Sequence, residues 1–196
     1  MPVRVLSAVG QDRQGCLSYG GAEEMTVNLA SYIRDIPDFP KPGILFKDIT
    51  PLLAAPRAFQ EAVDLMYRQY QAQPPDAVSA AEARGFLFAA PLALKLDRPL
   101  IPLRKPGKLP YRTHALQYDL EYGSAELQVH VDGFTRNAGV LIVDDLLATG
   151  GTMQAACQLV EKAGARVAGI AVLVELTFLK GRQKLLPHEV FSILQY

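Results

Sequence analysis

The chain is short of the residues that announce the commonest special classes of protein. It has 2 cysteines and 3 histidines in 196 residues, and its 20 basic side chains are matched by 20 acidic ones. Cys16 and Cys157 are far apart and have no metal-ligand spacing, so neither reads as a ligand or a catalytic thiol. Cys157 falls on the apolar face of a predicted helix, where a small buried hydrophobe is the simpler role. The balanced charge gives no reason to expect a nucleic-acid or membrane partner. No apolar run reaches membrane-spanning length, since the densest, residues 86–94, is short and contains Pro91. No secretory leader pattern opens the chain, so cytoplasmic residence is the default expectation. What remains has the composition of one soluble domain with a sizeable core.

The most informative stretch is residues 140–152, VLIVDDLLATGGT. Val140, Leu141, Ile142 and Val143 read as a strand buried on both faces of a parallel sheet, expected to stop on Asp144 and Asp145. Open α/β sheets place ligands beyond such strand ends. The loop Ala148, Thr149, Gly150, Gly151 and Thr152 has small side chains and two glycines free to adopt positive φ. Met153, Ala156, Leu159, Val160 and Ala163 then recur at helical spacing up to Gly164. The loop therefore lies at a helix N-terminus, where unpaired N–H groups and the helix dipole favour phosphate.

Acids this near a phosphate repel it unless they hold something else. Ribose hydroxyls, or Mg²⁺ reached directly or through water, would suit them, which describes a ribose 5-phosphate site. A P-loop would need a lysine followed by Ser or Thr, and a dinucleotide fingerprint three spaced glycines after its strand; neither is present. Taken singly, an acid pair or a Gly-Gly turn is usually a solvated connection, and only the ordered combination outweighs that reading.

The stretch closely resembles the phosphoribosyl pyrophosphate (PRPP) motif of the type I phosphoribosyltransferases, in the wording of the branch that acts on adenine. EARGF at residues 82–86, RKPGKLP at 104–110 and YDLEYG at 118–123 resemble further motifs of that branch. Without the resemblance, Arg84 beside Gly85 is either a surface cation or a bidentate phosphate ligand, and Arg104, Lys105 and Lys108 a solvated turn or a pyrophosphate grip. The resemblance implies pyrophosphate binding by all four. It also implies that Glu121 manages the proton of the purine imidazole and that Tyr122 helps a mobile lid close over PRPP. Residues 38–53, rich in Pro and Gly, are expected to be largely loop. They resemble the family's N-terminal hood, in which Phe46 would stack on the purine while backbone groups at Leu45 and Lys47 read its edge. Ala80 departs from the pattern, which expects Gly there.

Along the rest of the chain, residues 1–24 read as a poorly ordered tail, with Met25 a candidate native start and 25–196 one domain. Short helices are expected at 27–33 and 86–96, and an amphipathic one carries Phe59, Ala62, Val63, Met66 and Tyr70. Buried strands are expected at 77–81, 99–103 and 167–174, a half-exposed strand at 125–131 and an edge strand at 191–194. Residues 111–122 are uncommitted between helix and strand, and His130 is expected to be exposed. The predicted fold is α/β, a doubly wound, mostly parallel sheet with a hood and a lid. The resemblance implies transfer of a phosphoribosyl group from PRPP to adenine, with Mg²⁺ and a homodimer. The competing expectations are a 6-oxopurine substrate, or a PRPP-binding regulator without turnover, for which the chain offers no DNA-binding domain.

Overall fold

The computed structural model describes residues 27–120 and 123–196. The tail expected over residues 1–24, Met25, Glu121 and Tyr122 lie outside the described residues.

Five parallel strands form the central sheet: β3 (Ala77–Ala81), β4 (Leu100–Leu103), β7 (Gly139–Leu147), β8 (Arg166–Glu175) and β9 (Val190–Gln195). Their order is β4-β3-β7-β8-β9, so chain direction across the sheet reverses between β3 and β7. That reversal opens a crevice at the strand ends, the usual ligand position in such sheets. The first hood strands, β1 (Arg34–Ile36) and β2 (Phe46–Asp48), pair antiparallel apart from the sheet, as do β5 (Thr113–Leu120) and β6 (Gly123–His130).

Alternation along the strands divides the core in two, because successive side chains point to opposite faces. Val78, Ala80, Leu141, Val143, Ala171 and Leu173 pack against α1 (Thr50–Ala54), α2 (Pro56–Tyr70) and α3 (Gly85–Leu96). Ala77, Ala81, Val140, Ile142, Ile170 and Val172 pack against α4 (Gly151–Lys162) and the inner face of the β5–β6 hairpin, Leu127 and Val129. Covered on both faces, the sheet is doubly wound. Cys157 is buried in the second cluster, and burial pushes its thiol up to about 12.

Several expectations are corrected. The strand through the acid pair does not stop there; β7 continues to Leu147, because β8 is long enough to pair with it as far as Leu147–Glu175. Residues 38–53 are less irregular than their Pro and Gly content suggests. Asp48 accepts the Thr50 N–H at 2.9 Å and the Thr50 hydroxyl at 2.8 Å, and Pro51 sits where a helix start tolerates it, so α1 begins at once. Those bonds, with Arg34, hold the Asp48 carboxyl below its ordinary value. The helix expected at 27–33 is a single 3₁₀ turn, Leu29–Tyr32. The uncommitted stretch is strand β5, organised by its pairing with β6. β4 lies at the sheet edge, and only Leu103 of it is buried, so it is not a buried strand throughout. His130 is half-buried, with its Nε2 enclosed and unpaired among the described residues, and Tyr111 meets it edge-on at 6.1 Å.

Candidate active site

Two strand-to-helix loops meet at the topological reversal. The loop after β3 supplies Glu82, Ala83 and Arg84; β7 and the loop after it supply Asp144, Asp145, Ala148, Thr149, Gly150, Gly151 and Thr152. Together they line a cavity of about 270 Å³. Ala80, where a glycine was anticipated, lies fully buried in regular strand, paired with Pro102 and Val143.

The small loop after β7 has the form expected of a phosphate cup. Gly150 caps α4 with φ +84°, a conformation that strains a residue bearing a side chain. Among the described residues no side chain satisfies the helix's first N–H groups, and no acid stands in its first turn. Those donors are left for an anion.

Asp144 and Asp145 are consecutive on an extended strand, so they occupy different surroundings. Asp145 is 5 % exposed and its Oδ2 lies 2.8 Å from Arg84 Nε, whose side chain is 50 % exposed. Asp144 accepts the Asp145 N–H at 2.9 Å. Burial, then the charge of Asp145, pushes the Asp144 carboxyl well above the ordinary carboxylate range. Among the described residues, no group of three or more His, Cys, Asp or Glu side chains could hold a metal ion.

Arg84 also reaches the hood: its guanidinium carbon lies 5.6 Å from the Phe46 ring centroid. Phe39 packs edge-on to Phe46 at 5.1 Å. Leu45 is exposed, whereas Lys47 is buried, its ammonium 2.7 Å from Asp35 and 3.8 Å from the Tyr196 ring centroid. The Lys47 side chain thus ties the hood to the chain's last residue, and only its backbone is left for recognition.

The three remaining cations do not line the same cavity. Arg104 Nε bonds Glu82 at 3.0 Å, and the Lys105 N–H donates to the same carboxylate at 3.1 Å. Those bonds hold the Glu82 carboxyl below its ordinary value and fasten the cation loop to the Arg84 loop. Lys105 lines a second cleft with Tyr118 and Glu126 on the hairpin, and Lys108 is exposed. Glu82 as the organiser of this loop was not anticipated from sequence. Its only local signal was its place in EARGF, and its partner stands 22 residues away. Glu82→Gln keeps one acceptor but loses the charge; affinity for a phosphorylated ligand in the cavity is expected to fall roughly 5-fold, the scale of one charge-assisted hydrogen bond in the open. Calorimetric titration with ribose 5-phosphate and with pyrophosphate checks this.

Comparison with known proteins bears directly on this geometry. The phosphoribosyl transferase domain family matches residues 48–194. The adenine phosphoribosyltransferase of Roseiflexus sp. (strain RS-1) is 55 % identical over 172 residues, 88 % of this chain and 100 % of that protein. The crystal structure of the adenine phosphoribosyltransferase from Thermoanaerobacter pseudethanolicus superimposes with a TM-score of 0.83 at 48 % identity, covering 86 % of this chain and 98 % of that one. That of the Saccharomyces cerevisiae enzyme, complexed with an imino-altritol bisphosphate and adenine, does so with a TM-score of 0.80 at 38 % identity, over 85 % and 96 %.

Proposed function

Because the chain belongs to the phosphoribosyltransferase family, we propose that it salvages adenine, transferring the 5-phosphoribosyl group of PRPP to the base to give AMP and pyrophosphate. The observation that carries this reading is Arg84, which pairs with Asp145 of β7, the strand leading into the cup, at 2.8 Å and lies 5.6 Å from the hood aromatic Phe46. One side chain thereby links a phosphoribosyl half-site to a flat, apolar base half-site.

In this reading Ala148, Thr149, Gly150, Gly151 and Thr152 anchor the 5-phosphate, and that remote binding energy positions the anomeric carbon. Asp144 and Asp145 hold the ribose hydroxyls. As the bond from the anomeric carbon to pyrophosphate breaks, positive charge grows on that carbon, and the acid pair stabilises it. Arg84, Arg104, Lys105 and Lys108 neutralise the departing pyrophosphate, the last three once the cation loop meets it. Phe46 stacks on adenine, Leu45 and Lys47 present backbone groups to its edge, and Glu121 takes the imidazole proton as the new carbon–nitrogen bond forms. Tyr122 belongs to the lid that excludes water.

The hard oxygen donors around the cavity suit Mg²⁺ carried mainly by PRPP oxygens, with no cage of protein ligands. When bound, it would offset phosphate charge on the leaving group.

A homodimer and cytoplasmic residence belong to the same proposal. Among the described residues no helix is long and apolar enough to cross a membrane. An apolar groove of Pro56, Phe59, Val63, Pro91 and Leu94 lies between α2 and α3, with Leu94 84 % exposed, and supports a second copy as partner. Sedimentation as a monomer at micromolar concentration would remove the dimer.

A panel of bases tests the reaction. Purified protein, PRPP and Mg²⁺ are incubated with adenine, hypoxanthine, guanine or xanthine, and nucleotide and pyrophosphate are followed together. AMP with equimolar pyrophosphate, formed selectively from adenine, is the expected result. Turnover of a 6-oxopurine instead would move the substrate within the family, and binding of PRPP without turnover of any base would favour a regulator. Glu121→Ala is expected to slow the single-turnover rate roughly 100-fold, the lower range for loss of an acid–base group, while changing PRPP affinity little. An unchanged single-turnover rate would assign the proton to another group.

A further inference from the structure

Beneath the phosphate cup lies an ion pair that the reaction itself does not use. Glu175 ends β8, and its register partner on β7 is Leu147, the residue before the cup. Its buried carboxylate is gripped at two points by Arg182, through Nε at 3.0 Å and Nη2 at 2.5 Å. The Ser192 hydroxyl donates to the same carboxylate at 2.7 Å, and Arg182 Nη1 donates to the Val190 carbonyl at 2.6 Å. Arg182 is thus fixed to the ends of two sheet strands.

The preceding residue, Gly181, opens the 3₁₀ turn Gly181–Leu185, and its backbone presses on the cup. A methyl group at Gly181 would collide with the Ala148 carbonyl oxygen and sit 3.0 Å from the Gly150 nitrogen. A methyl group at Gly150 would sit 2.7 Å from the Gly181 carbonyl oxygen. Two glycine backbones in direct contact fit only if both are held in place. Glu175 is 5 % exposed and Arg182 41 %; such a half-buried pair adds little net stability, but the planar guanidinium fork fixes direction as well as distance.

We infer that the Arg182–Glu175 pair, with Ser192, is a positioning clamp for the 5-phosphate: it holds Gly181 against Ala148 and Gly150, so that the cup's N–H groups are aimed before the phosphate arrives. The inference rests on the reading of the cup as a PRPP site. Arg182, Glu175 and Ser192 are positioning residues, acting through the backbone of Gly181 and touching no reacting atom. Displacing the cup should therefore weaken the phosphate-bearing substrate and leave the free base alone.

The test compares Arg182→Met, Arg182→Lys and Ser192→Ala with the parent enzyme, after thermal melts establish which variants are folded. KM for PRPP and for adenine is measured for each, with calorimetric titration of ribose 5-phosphate. Arg182→Met is expected to raise PRPP KM by about 10-fold or more, on the scale of a misplaced binding group, with adenine KM within about 2-fold of the parent. Arg182→Lys should fall between, and Ser192→Ala should raise PRPP KM by about 2- to 3-fold, as for one lost hydrogen bond. Ribose 5-phosphate affinity should fall in parallel. Should Arg182→Met fail to fold, Ser192→Ala and Arg182→Lys decide the matter by the same split. KM values for both substrates rising together, or neither rising in any folded variant, would overturn the clamp. A parent enzyme with no turnover and no ribose 5-phosphate binding would instead overturn the PRPP reading on which it rests.

Discussion

Replacing both Asp144 and Asp145 with asparagine is expected to lower turnover of adenine and PRPP by roughly 1000-fold, the scale of losing preorganised charge beside a developing cation. The fold should survive. Neither carboxylate supports the core: the Asp145 partner Arg84 is half exposed, and the bond from the Asp145 N–H to Asp144 can be accepted equally by an asparagine oxygen. Near-parental turnover in the double variant would remove the acid pair from the site.

The single variant Asp144→Asn separates function from stability. Burial and the adjacent Asp145 charge raise the native carboxyl well above its ordinary value near 3.8, so the native state binds this proton more tightly than the unfolded chain. Stability consequently falls as pH climbs from that ordinary value through the raised native one, and the loss persists above it. Asparagine has no such loss. At neutral pH the variant should melt above the parent, by about 2–4 °C for each kcal/mol so recovered in a chain of this size. The difference should shrink as pH falls and vanish below the ordinary aspartate range, where both states of the parent are protonated. An Asp144→Asn protein that melts below the parent at neutral pH would mean the site stores no electrostatic strain. Residues retained at a cost to the unliganded fold are the kind kept for chemistry.

The parts of this molecule legible in sequence are those whose cause is local. The run 140–143 has the length and β-branched, wholly apolar make-up of a doubly buried strand, and a loop of small residues before a helical period marks a helix start with open N–H groups, so the central unit followed from the ordered combination of a dozen residues. Strand β5 was not legible because its partner makes it a strand: THALQYDL has weak alternation of its own and gains its ladder from β6. α1 was hidden by Pro51, which signals a break in most places but is tolerated at a helix start. Glu82 and Arg182 were missed for a different reason. A side chain that works by holding another loop has no signature until the loops are brought together, and Arg182 is 7 residues from Glu175 in sequence but faces it only because the 3₁₀ turn folds back. The cations at 104, 105 and 108 were legible as a cluster, yet the pairing of Arg104 with Glu82 and the place of Lys105 in a second cleft are tertiary facts.

Gly85→Ala should be nearly as damaging as loss of the acids, by a wholly different route. Gly85 begins α3 directly after Arg84, and a methyl group there would stand 2.8 Å from the Val143 carbonyl oxygen and 2.9 Å from Asp144 Oδ1, with the Ala80 methyl at 3.3 Å. The Val143 carbonyl belongs to a central strand paired on both sides and cannot retreat, so the helix start must move and the Asp144 side chain with it. Overpacking of this kind costs about 1–3 kcal/mol, so the melting temperature should fall by roughly 5 °C. Activity should fall further than stability. Shifting the start of α3 pulls Arg84 away from Asp145 and displaces the Asp144 carboxylate, and a misplacement of about 1 Å at such groups can cost about 100-fold in rate. Gly164 provides the control. Unlike Gly85 it has positive φ, and nothing lies within 4 Å of a methyl group built there, so Gly164→Ala should carry backbone strain and a lower melting temperature with kcat and both KM values unchanged. Equal activity losses in the two variants at matched stability would show that Gly85 matters to the fold alone, and that the contact between the two loops is not what sets the geometry of the site.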